Sequence, residues 1–127
     1  MYAFSAATGK LQWKARTGNL IHSSPAVANG VLYIGSTDGK LYAFDDLTGK
    51  QLWTYSTEGR IYSSPTVANG VVYIGSQDHK LYALDAVSGK PLWAYATGGA
   101  LDSSPAVVNG VVYVGSFDGK VYAFHLK

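Results

Sequence analysis

The sequence predicts an all-β protein: a β-propeller segment of four-stranded antiparallel blades, three blades per chain. Three observations carry this reading: a strict repeat, dense turn signals and strands that are apolar on both faces. Trp13, Trp53 and Trp93 recur at an interval of 40 residues. Pro25, Pro65 and Pro105 keep that interval, as do Asp38, Asp78 and Asp118, and Tyr2, Tyr42, Tyr82 and Tyr122. A period of this kind, free of insertions, is the signature of a solenoid or propeller. The repeats run over about 2–41, 42–81 and 82–121, with a partial strand over 122–127, so that 1–127 forms one three-repeat segment.

Each unit contains three hairpin signals. Pro25-Ala26-Val27-Ala28 leads through Asn29-Gly30 into Val31–Ser36. Asn-Gly supplies the positive φ angles of a tight turn whose twist matches its flanking strands. Asp38-Gly39 precedes Lys40–Asp45, and Thr48-Gly49 precedes Lys50–Tyr55. The first strands are therefore expected near 25–28, 65–68 and 105–108, and the second near 31–36, 71–76 and 111–116. The third strands are expected near 40–45, 80–85 and 120–125, and the fourth near 10–15, 50–55 and 90–95. In the second strand Val31 and Tyr33 point one way and Leu32 and Ile34 the other. A sheet with one wet face would alternate apolar and polar residues, so this one must be covered on both sides. Blades stacked around an axis meet that need.

Composition excludes several classes. Hydrophobic residues make up 47% and charged residues 14% of the chain, against about 25% charged in an average globular protein, which argues against disorder. A net charge of +2 is too weak to recruit nucleic acid. Six of the ten basic residues are the repeated Lys10, Lys50, Lys90, Lys40, Lys80 and Lys120, which decorate turns and strand starts. There is no cysteine, hence no disulfide, thiolate nucleophile or thiolate metal ligand. No apolar run approaches the roughly 20 residues of a membrane helix, so no membrane insertion is expected. Met1-Tyr2-Ala3-Phe4 lacks the charged start and apolar stretch of a signal peptide.

The segment Ala43-Phe44-Asp45-Asp46-Leu47-Thr48-Gly49-Lys50-Gln51-Leu52-Trp53 resembles the tryptophan-docking motif of PQQ-type (quinoprotein-like) propeller repeats, A-x-D-x-x-T-G-K-x-x-W. The copy from Ala83 to Trp93 has Ser88 for Thr, and the copy from Ala3 to Trp13 has Ser5 for Asp. A further copy begins at Ala123 with His125 in the Asp position. The resemblance covers essentially the whole chain. It implies that Trp13, Trp53 and Trp93 stack on a peptide plane of a neighbouring blade with the indole N–H bonded. Gly9, Gly49, Gly89, Asp45 and Asp85 would form the docking turns. It also implies a periplasmic or extracellular parent.

Asp38, Asp78 and Asp118 read as turn residues ahead of Gly or His, not as a metal-binding ring. Positions that break the repeat cluster at one end of the blades: His22, Arg60, Tyr62 and Asp102 in the links between blades, and Gln77, His79 and Phe117 in the turns between second and third strands. Binding loops collect on one face of a rigid scaffold, which makes this the candidate face for a protein or peptide ligand.

The expected function is a non-catalytic propeller scaffold or interaction module, comparable to the propeller lipoproteins that help outer-membrane protein assembly. No cofactor is expected. The alternative implied by the resemblance is part of a PQQ-dependent alcohol or sugar dehydrogenase, with calcium, an Asp base and often adjacent cysteines. The single glutamate, Glu58, and His22 or His79 compose no such site. The boundaries, inside one copy of the third strand and just after another, fit an excised or engineered segment. Such a segment would leave apolar blade faces in water unless it self-assembles, as a six-bladed homodimer in preference to a trimer.

Overall fold

The computed structural model describes residues 1–125. Thirteen strands and no helix make up its regular structure. They form four sheets, each a meander. The first sheet pairs β1 (Tyr2–Phe4) with β2 (Leu11–Lys14). The second comprises β3 (Ala26–Ala28), β4 (Val31–Gly35), β5 (Lys40–Asp45) and β6 (Gln51–Ser56). The third repeats this with β7 (Thr66–Ala68), β8 (Val71–Gly75), β9 (Lys80–Asp85) and β10 (Pro91–Ala96). The fourth holds β11 (Ala106–Val108), β12 (Val111–Gly115) and β13 (Val121–His125). The last two residues of the expected partial strand, 126–127, lie outside the described residues.

The three blades of strands expected from the repeat are thus distributed as two complete blades flanked by two incomplete ones. Residues 2–4, the first copy of the third strand, pair with the fourth strand over 11–14 through Tyr2–Lys14 and Ala3–Trp13. The first strands begin one residue later than expected, because Pro25, Pro65 and Pro105 have no N–H for the ladder. The remaining boundaries shift by a residue or so.

Three cores lie between the sheets. Tyr33, Leu41 and Ala43 of the second sheet meet Val72, Ile74, Tyr82 and Leu84 of the third. Tyr73, Leu81 and Ala83 of the third meet Val112, Val114, Tyr122 and Phe124 of the fourth. Trp13 and Ala3 cover Leu32, Ile34, Tyr42 and Phe44 on the other side of the second sheet. Each blade therefore has a forward face and a backward face, and successive blades meet forward to backward. β3, β7 and β11 adjoin one another, so the first strand of each blade lines the axis of the arc.

Candidate interaction face

The docking turns are the first part of the scaffold that holds this face. The Trp13 indole N–H donates to the Asp46 carbonyl at 2.9 Å, and that of Trp53 to the Ala86 carbonyl at 3.3 Å. The rings lie on Gly49 and Gly89, where an added Cβ would come within 2.6 Å of the Trp13 ring and 2.5 Å of the Trp53 ring. Both glycines also need positive φ, 75° and 74°. The Asp45 carboxylate ties its turn by accepting from the Leu47 and Thr48 N–H groups and the Thr48 hydroxyl. Asp85 repeats this with Val87 and Ser88. Those bonds stabilise the charged form and hold both carboxyls below the usual range. The Ser5 hydroxyl, in the same place, accepts only from Thr8 N–H among the described residues. Gly9 carries no indole: nothing lies within 4 Å of an added Cβ there.

Two repeated devices were not read from the sequence. Tyr42, Tyr82 and Tyr122 donate their hydroxyls to Asp38, Asp78 and Asp118, four residues earlier. The same carboxylates accept from Gly18, Glu58 and Gly98 N–H, which fastens each link between blades to the following turn. Burial first, and then the bond to Asp, raise the pKa of Tyr42 and Tyr82. The signal was present in the sequence, since Asp and Tyr keep a fixed spacing in every copy. The second device uses the Ser-Ser pair before proline. Ser23 and Ser63 hydroxyls accept from Gly35 and Gly75 N–H. Ser64 and Ser104 hydroxyls accept from the Ser24 and Ser64 N–H of the preceding blade.

On this frame the variable positions fall into pairs. His22, Tyr62 and Asp102 hold equivalent positions just before the axial strands, and the His22 and Tyr62 rings lie 5.2 Å apart. Gln77 donates its amide to Asp102 at 3.3 Å. Arg60 lines a shallow polar cleft of about 270 Å³ with Thr37, Asp38, Thr57 and Glu58. His79 and Phe117 occupy exposed turns on the same end, with no hydrogen bond or ring contact to the other pairs among the described residues. His79 is held at φ 78°, where the other copies have Gly39 and Gly119. A left-handed non-glycine costs about 1–2 kcal/mol. No group of three or more His, Cys, Asp or Glu among the described residues is arranged to hold a metal.

A family described as outer membrane protein assembly factor BamB matches residues 1–127. The chain belongs to this family of PQQ-type propeller repeats. The PQQ-type repeats also match solved structures. BamB from Moraxella catarrhalis shares 25% identity with a TM-score of 0.90, over 98% of this chain and 39% of that one. The quinohemoprotein alcohol dehydrogenase ADHIIG from Pseudomonas putida HK5 shares 25% identity with a TM-score of 0.78, over 89% of this chain and 20% of that one. The chain therefore spans well under half the length of either protein. No curated protein sequence matches it. The family and the all-β propeller fold agree with the reading from the repeat.

Proposed function

We propose that this chain is a non-catalytic interaction scaffold that pairs with a second copy of itself and presents the His22, Arg60, Tyr62, Gln77, His79, Asp102 and Phe117 end to a protein or peptide. The observation that carries the pairing is the match between its two open faces. Forward-face Tyr33 and Tyr73 are each 2% exposed, whereas Tyr113 is 42% exposed. Leu41 and Leu81 are fully buried, whereas Val121 is 77% exposed. At the other end Tyr2 and Phe4 hold the backward-face positions of Tyr42 and Phe44, but in water. The chain thus displays both halves of an interface that it already buries twice. Two copies joined head to tail close a ring, which counts six blades when the two-stranded and three-stranded sheets at each seam share one blade. Similarity to BamB supports the protein-binding part.

Light scattering at micromolar concentration tests the pairing. Twice the 13.5 kDa chain mass is expected; a monodisperse monomer refutes it, and a trimer refutes the six-blade count. Likeness to the Pseudomonas putida alcohol dehydrogenase favours a second reading, a piece of a dehydrogenase propeller. Added PQQ with calcium separates the two, since saturable binding with alcohol turnover would overturn the scaffold reading.

A further inference from the structure

We infer that pairing proceeds by strand exchange: β13 of one copy displaces β1 from β2 of the other, and the Ser116–Gly119 turn of the first copy seats in the cleft beside Thr17 of the second. This rests on the self-pairing reading above and specifies its chemistry.

Three local comparisons within the chain point to the same seam. The first is sequence identity between competing strands. Tyr2-Ala3-Phe4 repeats Tyr122-Ala123-Phe124, so β13 offers β2 the same side chains in the same register. The two copies differ in what holds them. Tyr2 and Phe4 stack only on each other and lie mostly in water. Phe124 packs with its ring centre 5.7 Å from Trp93 and 4.9 Å from Tyr95. β13 is further backed by β12 through a five-residue ladder, whereas β1 has no strand on its other edge among the described residues. Exchange therefore replaces a three-residue flap by the edge of a packed sheet, and it covers the free edge of β13.

The second comparison concerns the link that precedes each axial strand. Thr57 donates both its N–H and its hydroxyl to the Gly39 carbonyl, each at 2.8 Å. Thr97 does the same to the His79 carbonyl at 2.7 and 3.0 Å. Ile61 and Leu101 N–H donate to the Ser36 and Ser76 carbonyls, both at 3.1 Å. Thr17 and Ile21 are the equivalents in the first blade, but that blade has no turn of this kind. Its Thr17 hydroxyl bonds to Asn19 alone among the described residues. A cleft of about 610 Å³, lined by Met1, Tyr2, Lys14, Ala15, Thr17 and Ile21, opens beside them. The matching turn is Ser116–Gly119, whose Gly119 has nothing within 4 Å of an added Cβ. In the complete blade, the corresponding Gly39 is covered by the Gly59 and Thr57 carbonyls at 3.0 and 3.3 Å. The third comparison is the bare Gly9, which stands to Trp93 of the other copy as Gly49 stands to Trp13.

A reversible lock tests the exchange. Met1 and Ala15 exchange two backbone hydrogen bonds, so Tyr2 and Lys14 form the adjacent, closer non-hydrogen-bonded pair. That spacing suits a disulfide in an otherwise cysteine-free chain. Tyr2→Cys with Lys14→Cys should be dimeric when reduced and monomeric when oxidised, with unchanged β-sheet circular dichroism. A dimer in both states overturns the exchange and leaves self-pairing standing. A monomer in both states, with the unmodified chain monomeric as well, overturns self-pairing itself. Thr17→Val supplies an independent arm, because within one copy its hydroxyl meets only Asn19 of its own link among the described residues. It should raise the dimer dissociation constant roughly tenfold, the worth of about one good hydrogen bond. An unchanged constant overturns the seating of the turn in the cleft.

Discussion

Gly49→Ala and Gly9→Ala make the same change in two copies of one motif, but only Gly49 lies under an indole. The two backbones are alike, with φ of 75° and 72°, so each substitution carries the left-handed penalty of about 1–2 kcal/mol. At Gly49 the new methyl would also sit 2.6 Å from Cε3 and 2.7 Å from Cδ2 of Trp13, where carbon atoms prefer about 3.5–4.0 Å. The ring must retreat by about 1 Å, and overpacking of this kind costs about 1–3 kcal/mol. That movement also breaks the 2.9 Å bond to the Asp46 carbonyl, for about 1 kcal/mol more. We expect Gly49→Ala to destabilise the chain by about 3–6 kcal/mol and Gly9→Ala by about 1–2 kcal/mol. Urea unfolding followed by tryptophan fluorescence, at dilution below the dimer dissociation constant, measures both. If the two losses agree within about 0.5 kcal/mol, the docked indole contributes nothing and the reasoning fails.

Trp53→Ala should cost about 3–5 kcal/mol in the same assay, as large aromatic deletions from a core do; a loss below about 1 kcal/mol would contradict its docking. His79→Gly should stabilise the fold by about 1 kcal/mol by relieving the left-handed backbone, read as a rise in the urea midpoint, and a fall would refute the strain. The phenol of Tyr82 is held neutral by burial and by its bond to Asp78, and those of Tyr33, Tyr42 and Tyr73 chiefly by burial. Their raised folded values mean that this stability is complete below the ordinary tyrosine pKa near 10 and is lost as pH rises through the folded values. Absorbance titration at 295 nm should show these four ionising only as the sheet signal collapses; ionisation near pH 10 with the fold intact would refute the assignment.

The docking residues were legible in the sequence because their motif repeats, although each indole rests on the turn of the next blade. Trp53 lies eight residues beyond Asp45 and Trp93 eight beyond Asp85, and the glycine in each turn is the one residue type that tolerates both the positive φ and the ring above it. The Asp38–Tyr42 bond was equally present in the spacing but passed unread, because a turn role for Asp38 already accounted for its position. The interaction face was legible only as a set of departures from the repeat.

What the sequence by itself determined is the blade: turn chemistry, alternation and period act within 40 residues and leave little choice of local pairing. What only the tertiary structure decided is how the blades meet outside the tryptophan motif. The contact of His22 with Tyr62, and of Gln77 with Asp102, depends on the angle at which successive sheets stack, which no single repeat encodes. The same holds for the ends. Tyr33 and Tyr113 occupy equivalent positions of the repeat, yet the first is buried and the second exposed, because burial belongs to the neighbouring sheet and not to the residue. Likewise Tyr2-Ala3-Phe4 and Tyr122-Ala123-Phe124 are the same peptide, and only the sheets around them leave the rings of one in water and pack those of the other against a core.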